Sequence, residues 1–320
     1  MADVVDIPEF RAFYYTDDTP RQFYTLRRYE DESGSGKMHC YNIAPGIQLN
    51  DLNLSSCYQP LNVQKDFLEI NYCLEGGHEV EMVGGGITFL GEKDLSISGL
   101  YHDKRVIVNS RIPFNKYKGI TILLELETAQ TTLDNEFSKW HIDLQKIRTT
   151  LCPEGRVLLI KSKQKIDHIF AEILSVENQI RLPYYWLKIL EILLLLSQLD
   201  NSYVEPPQQF TEKVSRRTQQ VYQYIIENPF TQKNISEIAE IYGVSESSMK
   251  RCFKSISGAS LGTFMKRKRM EAAAELLRSE PTLSVGEIAS LAGYENQGKF
   301  SGAFKSVYEM TPIAYRLKYS

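Results

Sequence analysis

A short pattern, Glu-Ile-Ala-x-x-x-Gly, occurs twice in the last third of this 320-residue chain. It spans residues 237–243 and, fifty residues later, residues 287–293. Three positions before each Glu stands a residue that caps helix N-termini, Asn234 or Ser284, which is the spacing of a capping box. Each copy is followed by a second segment that ends in Phe-Lys. A short helix, a Gly turn and a longer helix, present twice, predict two helix-turn-helix units.

The second helix of each unit is expected to have one buried stripe, because its apolar residues recur at i, i+3, i+4 and i+7. In the two copies these residues are Met249, Cys252, Phe253 and Ile256, then Phe300, Ala303, Phe304 and Val307. The opposite stripe of the first copy carries cations. Lys and Arg bind phosphates and guanine edges, so this stripe suits the major groove of DNA. A solvated charged face is the alternative for an isolated helix, and the duplication favours DNA.

The candidate DNA-contacting residues come from the outer stripes and first turns of these two helices. Those of the first unit are Ser247, Ser248, Lys250, Arg251 and Lys254. Those of the second unit are Asn296, Gln297, Lys299, Ser301 and Lys305. In the second stripe Gly298 and Gly302 occupy the positions of Ser247 and Arg251, so we expect the second unit to offer fewer base-reading groups.

The segment between the units, residues 260–278, is predicted to be a connector helix that ends before Pro281. About fifteen helical residues span roughly 22 Å, which suits two recognition helices on one face of DNA. Charge also sets this part of the chain apart. Residues 211–320 hold 16 Lys+Arg and 11 Asp+Glu, whereas residues 1–210 hold 21 and 29. Only the C-terminal part therefore has the positive charge expected of a DNA-binding domain.

Residues 212–320 resemble the DNA-binding domain of the AraC/XylS family of bacterial transcription regulators. The matching residues are Ala239, Gly243, Ser245, Met249, Arg251, Phe253, Lys254, Gly258, Arg269, Ala274, Leu276, Leu277, Ile288, Ala289, Gly293, Tyr294, Phe300, Phe304, Lys305, Thr311, Pro312, Tyr315 and Arg316. The chain departs from the family pattern at Gly302, where an Arg is frequent, and at Glu309, where a Gly is usual. The resemblance implies double-stranded DNA and RNA polymerase as partners.

Residues 1–135 are predicted to form short antiparallel strands, since residues 68–74 alternate between apolar and polar and Gly-rich turns follow. This pattern is compatible with a barrel or a sandwich. The family resemblance favours a cupin-like β-barrel that senses a small-molecule effector. The candidate ligand-binding residues are Phe13, Tyr15, Tyr24, Arg28 and Tyr72. They are equally compatible with ordinary core and surface positions.

Residues 136–205 are predicted to be helical, with one helix over residues 157–176 and a second, apolar on nearly all sides, over residues 183–199. The resemblance implies a homodimer, and the candidate dimerisation residues are Trp186, Leu190, Leu193 and Leu194. Burial within one chain is the alternative. The predicted fold class is α+β: a cupin-like antiparallel β-barrel with a helical dimerisation region, a polar linker, and an all-α domain of two helix-turn-helix units over residues 212–320.

No catalytic residue, metal site or cofactor is expected. The five His are scattered singly, and the five Cys include no Cys-x-x-Cys pair. The longest apolar run, residues 192–196, is far too short to span a membrane, and no signal peptide is recognisable, so a cytoplasmic protein is expected. The sequence therefore predicts a ligand-responsive transcription regulator. The alternatives are a regulator that responds to a protein or peptide, or to nothing, and a cupin enzyme fused to a DNA-targeting module.

Overall fold

The predicted strands lie in the first of two units into which the computed structural model divides, Met1–Thr211 and Glu212–Ser320. The structure describes residues 17–20, 23–31, 34–55, 64–83, 86–104, 106–160, 164–200 and 208–319. Each unit is considered by itself. The first combines strands with helices and the second is helical, so the α+β class predicted from the sequence is confirmed.

Within the described residues the first unit has ten strands. They are β1 Asp17–Pro20, β2 Thr25–Asp31, β3 Gly34–Ala44, β4 Ile47–Leu54, β5 Phe67–Met82, β6 Ile87–Gly91, β7 Leu95–Leu100, β8 Ile107–Arg111, β9 Tyr117–Glu125 and β10 Leu158–Ile160. The main sheet has the order β1-β2-β3-β4-β9-β5-β7-β10, and every pair is antiparallel. The second half of the long β5 pairs instead with β6 and β8. β5 thus belongs to two sheets.

One face of the main sheet is covered by helices. They are α1 Leu126–Phe137, α2 Leu144–Leu151, α3 Gln164–Ser175 and α4 Arg181–Ser197. Alternate side chains of the strands, such as Leu49, Ile70 and Ile122, are fully buried against them. Each such side chain contributes about 1.5–3 kcal/mol relative to an exposed one. The main hydrophobic core therefore lies between the sheet and these helices.

The structure corrects the predicted border between strands and helices. Leu158–Ile160, predicted to begin a helix, form β10 and pair with β7, and the helix starts only at Gln164. At the other end α1 begins at Leu126, inside the region expected to hold strands alone. A short apolar run is compatible with either a helix or a strand, and here the open edge of β7 decides for the strand.

The second unit contains the two predicted helix-turn-helix units. Its helices are α5 Glu212–Glu227, α6 Ile235–Ile241, α7 Glu246–Ser257, α8 Leu261–Ser279, α9 Val285–Leu291, α10 Gln297–Tyr308 and α11 Pro312–Tyr319. The first helix-turn-helix unit is α6–α7 and the second helix-turn-helix unit is α9–α10. The connector α8 has 19 residues, more than the fifteen expected, and is therefore about 28 Å long. Its first half contributes to the core of the first unit and its second half to that of the second.

Both predicted capping boxes are present. The backbone N–H of Asn234 donates to Glu237 at 2.6 Å, and the N–H of Glu237 donates to the Asn234 side chain at 2.9 Å. Ser284 and Glu287 make the same reciprocal pair, at 2.7 and 3.2 Å. The Ile-Ala of each pattern is buried in the core. The repeated sequence pattern is therefore a repeated way to start a helix and anchor it.

Candidate nucleic-acid interface and internal cavity

The position of α7 is fixed at its start and along one face. The Ser245 side chain caps the helix by accepting from the backbone N–H of Ser248 at 3.3 Å. Met249, Cys252 and Phe253 are fully buried on the inner face. These contacts hold α7 against α5 and α8, so that its opposite face is directed to solvent.

The outward face of α7 carries the predicted residues. Ser247, Lys250, Arg251 and Lys254 are exposed, and Ser248 is half-buried. Lys250 pairs with Glu246 one turn earlier on the same helix. Among the described residues, Arg251 and Lys254 form no ion pair, so their donors are available to a ligand with negative charge.

The N-terminus of the connector lies beside these cations. Lys250, Arg251 and Lys254 line one surface depression together with Ile235 and residues 260–262, which begin α8. Backbone N–H groups at a helix start attract phosphate. The depression therefore combines side-chain cations with main-chain donors.

The second helix-turn-helix unit presents a different surface. Asn296 caps α10 by accepting from the backbone N–H of Lys299 at 2.8 Å, and the Lys299 ammonium donates to Glu295 at 2.5 Å. Its outer stripe contains Gly298 and Gly302, both exposed. The other predicted residues of this helix are Gln297 and Lys305, which are exposed, and Ser301, which is half-buried. This face is open but carries few groups that reach far.

The buried stripe of α10 is shorter than predicted. Phe300 and Phe304 are fully buried, but Val307, expected to continue the stripe, is 36% exposed. The helix ends one turn beyond Phe304 at Glu309, which has the left-handed φ of 59°. The corresponding end of α7 is Gly258, at φ 69°. Glu309 thus occupies a conformation that favours Gly, which accounts for the Gly usual at this position in the family pattern.

In the N-terminal unit, Met1–Thr211, a cavity lies against the face of the main sheet that the helices do not cover. Its walls include apolar side chains from residues 38–54 and 100–112, and polar groups from β4, β5, β7 and β9. Asn50 pairs in register with Thr121, Thr121 with Asn71, and Asn71 with Ser96. These four residues form a polar row across four strands, about 14 Å long at about 4.8 Å per strand.

The polar row includes an unpaired amide. Asn50 is fully buried, and neither its Oδ1 nor its Nδ2 has a hydrogen-bond partner among the described residues. Leaving a buried polar atom unsatisfied costs about 1–3 kcal/mol. By contrast Thr121 donates to Asn71 at 2.5 Å. The cavity therefore holds both a satisfied and an unsatisfied polar side chain.

Three of the five predicted ligand-binding residues lie in the described part of the chain, and none of these three lines the cavity. Tyr72 faces the helices, where its ring stacks on Phe170 at 4.1 Å between centroids and its hydroxyl donates to Asp167. Tyr24 packs on the same cluster, and Arg28 is exposed on β2. Alternation along β5 directs Tyr72 away from the cavity, and a role of these three residues in ligand binding stays a prediction. Phe13 and Tyr15 lie outside the described residues.

Two of the four predicted dimerisation residues lie on the buried side of α4. Leu190 and Leu193 are 2% and 0% exposed and belong to the core between the sheet and the helices. Both are corrected from dimer contacts to core residues. Trp186 is half-buried, and its indole N–H donates to Glu136 at 3.2 Å.

The exposed side of α4 is also apolar. Leu194, the fourth predicted residue, is 38% exposed, and Leu187 and Leu195 beside it are 61% and 38% exposed. The spacing of these three residues places them within about 100° of the helix circumference. α4 therefore has an exposed apolar stripe, which lies on a different side of the helix from the buried Leu193.

The described part of the chain also bears on metal binding, membrane insertion and thiol chemistry. No group of three or more His, Cys, Asp or Glu there is placed to hold a metal ion. None of the helices described is both long and apolar enough to cross a membrane. Cys40, Cys73, Cys152 and Cys252 are buried, and Cys57 lies outside the described residues.

Two capped helix-turn-helix units joined by one connector, with exposed cations on the first recognition helix, define a double helix-turn-helix DNA-binding domain. Residues 238–318 match a family model described as a helix-turn-helix domain. The chain is 32% identical over 82 residues to the xylose operon regulatory protein of Escherichia coli, covering 26% of this chain and 21% of that protein. It is 32% identical over 101 residues to the transcriptional regulator MtrA of Neisseria gonorrhoeae, covering 32% and 33%. The C-terminal unit is thus an AraC/XylS-type domain, as predicted.

A solved structure matches the same part of the chain. The C-terminal domain of the response regulator AraT from Geobacillus stearothermophilus is 34% identical, covers 34% of this chain and 86% of that one, and has a TM-score of 0.30. The chain matches between a fifth and a third of the length of the curated relatives named above.

Proposed function

We propose that this protein is a sequence-specific transcription regulator that binds double-stranded DNA through α7 and α10. The single observation that supports this most is the exposed cationic face of a capped recognition helix within a duplicated helix-turn-helix domain. The connector of about 28 Å is suited to hold the two helices near the 34 Å spacing of successive major grooves.

The residues of α7 have distinct proposed roles. Arg251 lies at the middle of the helix and forms no ion pair with the described residues, so its guanidinium can pair with the O6 and N7 of guanine. Lys254 and Lys250 bind phosphates, aided by the start of α8 in the same depression. Ser247 and Ser248, in the first turn, make shorter polar contacts. In the second unit Asn296, Gln297, Lys299, Ser301 and Lys305 make mainly phosphate contacts.

For the N-terminal unit, Met1–Thr211, we propose control by a small-molecule effector bound in the internal cavity. The cavity supports this because it is lined by buried polar side chains, one of them unpaired, among apolar ones. Binding can regulate only if the effector has different affinities for two states of the protein. A cupin enzyme remains the contrasting hypothesis, and no cluster in the described residues favours it.

The exposed stripe of α4, formed by Leu187, Leu194 and Leu195, is the proposed contact of a homodimer. A patch of exposed leucines on one helix is of the kind that marks protein–protein interfaces. Changing Leu194 and Leu195 to Glu should give a folded monomer, detected by light scattering. The matched change Leu193→Glu, in the core, should instead unfold the N-terminal unit.

The DNA-binding proposal is tested by cutting the chain between its two units. Residues 212–320 should bind DNA with an affinity that falls steeply as salt rises, and residues 1–211 should bind none, as measured by fluorescence anisotropy. Binding confined to the N-terminal fragment would refute the proposal. Contact with RNA polymerase stays a prediction of the family resemblance.

A further inference from the structure

The cavity wall contains a carboxyl group without a cationic partner. Glu69 on β5 lines the cavity, and its carboxylate accepts from the hydroxyl of Ser98 at 2.8 Å and from the side chain of Asn71. Within the described residues it forms no ion pair. A carboxylate has about four acceptor positions, so these two neutral donors leave about two of them open. In its carboxylate form Glu69 therefore requires hydrogen-bond donors from a ligand in the cavity.

The remaining charged and titratable groups on the cavity do not offer a second anion or a buried cation. Burial lowers the pKa of His78 to about 4, so its ring is neutral near pH 7. Burial raises the pKa of both Tyr101 and Tyr117, which keeps their hydroxyls neutral. Lys104 is exposed, with its ammonium 4.2 Å from the centre of the Tyr101 ring. Among the described residues that line the cavity, the exposed Lys104 and the ionised form of Glu69 are thus the charged groups.

Asn50 marks a second point at which a ligand is recognised. Its buried amide can both donate and accept, and both functions lack partners in the described residues. Glu69 lies two strands away from Asn50 and two residues along β5 from Asn71, which belongs to the polar row. From the spacings of an antiparallel sheet, the two Cα atoms are about 12 Å apart. A small molecule with polar groups at its two ends is long enough to reach both side chains.

Resting on the proposed role of the cavity as an effector site, we propose that it takes a small non-anionic molecule whose hydrogen-bond-donating head group binds Glu69 and whose second polar group binds Asn50. The head is an ammonium or a set of hydroxyls, since both donate to a carboxyl group. An anionic head is disfavoured beside the Glu69 carboxylate, because the one cation among the described cavity residues, Lys104, is exposed.

The test uses the full-length chain and three sets of probes: amines (putrescine, tyramine), polyols (ribose, glucose) and carboxylates (benzoate, decanoate). A member of the first or second set should raise the melting temperature and bind in calorimetry. Glu69→Gln keeps the side-chain volume and should weaken that binding about 10- to 100-fold. The matched variant Glu75→Gln, on the same strand but paired with Lys116 and Lys118 outside the cavity, should leave it unchanged.

The two permitted heads differ in their pH dependence. Burial raises the pKa of Glu69, so amine affinity should increase as pH rises through that pKa and the carboxylate forms. Polyol affinity should change much less. Binding of carboxylates alone, unaffected by Glu69→Gln, overturns the inference and leaves a ligand cavity in place. Binding of no probe also overturns it, and a DNA-binding measurement on the same sample shows separately whether the proposed function survives.

Discussion

The two helix-turn-helix units have the same framework and different surfaces. Each begins with a reciprocal capping box and buries an Ile-Ala pair, and in each the second helix is capped by a side chain, Ser245 or Asn296. On the outer face, however, Arg251 in the first unit is replaced by Gly302 in the second. A fold can thus be duplicated while only one copy keeps long base-reading side chains.

The units also differ in how their recognition helices end. Both helices finish with a residue in the left-handed conformation, Gly258 for α7 and Glu309 for α10. A side chain in this conformation costs roughly 1–2 kcal/mol, so α10 is less well terminated. Together with Gly298 and Gly302, each of which costs a helix about 1 kcal/mol relative to Ala, this makes the second unit the less stable one.

The largest expected effect comes from the one arginine that faces outward on α7. Arg251→Ala should weaken DNA binding by about 1–3 kcal/mol and relax the preference for one base pair. The reciprocal change Gly302→Arg is sterically free, since no atom lies within 4 Å of a Cβ built there, and should add base preference in the second half-site. Competition titrations with single-base variants of the site measure both effects. Uniform weakening by Arg251→Ala would assign this residue to a phosphate.

A second pair of variants tests the helix ends by chemical denaturation of residues 212–320. Gly258→Ala should destabilise the domain by about 1–2 kcal/mol through backbone conformation alone, because its added Cβ meets no atom within 4 Å. Glu309→Gly should stabilise it by about 1 kcal/mol. The two variants should therefore change the stability of the domain in opposite directions. Destabilisation by both variants would contradict this expectation.

The capping boxes should behave alike in the two units. Asn234→Ala and Ser284→Ala each remove one side-chain acceptor and should each cost about 1 kcal/mol of domain stability. Thermal unfolding of the two variants side by side measures this. A clear difference between them would show that the shared framework is not energetically equivalent.

The smallest effect is expected at Lys299, whose ammonium is shared with Glu295. Lys299→Ala should weaken binding to all DNA sequences alike and reduce the slope of log affinity against log salt by about one. Lys318→Ala, on α11 outside both stripes, is the control and should leave the slope unchanged. Loss of base preference in Lys299→Ala would instead assign this residue to the bases.

Local sequence was sufficient wherever the determining contacts are local. Capping by Asn234 and Ser284 and the buried stripe of α7 depend on residues within two turns, and they were predicted correctly. Leu158 and Leu193 depend on distant partners: the edge of β7 makes the first a strand residue, and the packing of the sheet buries the second.

The polar row that lines the cavity was not predicted, for a related reason. The alternation of Leu68, Ile70 and Tyr72 with Glu69 and Asn71 was recognised, and it shows that β5 has one polar face. It does not show whether that face meets water or an enclosed space, since this depends on where β8 and residues 101–106 lie. Aromatic residues near the start of the chain were therefore favoured over the polar row that lines the cavity.

Selection of bound sequences from randomised DNA tests the central claim, that the two units read DNA unequally, most directly. The full-length protein should select a site with strong base preference in the half-turn contacted by α7 and weak preference in the half-turn contacted by α10. Repeating the selection with Gly302→Arg should strengthen the second half alone. Equally strong base preference in both halves with the natural sequence would contradict the account.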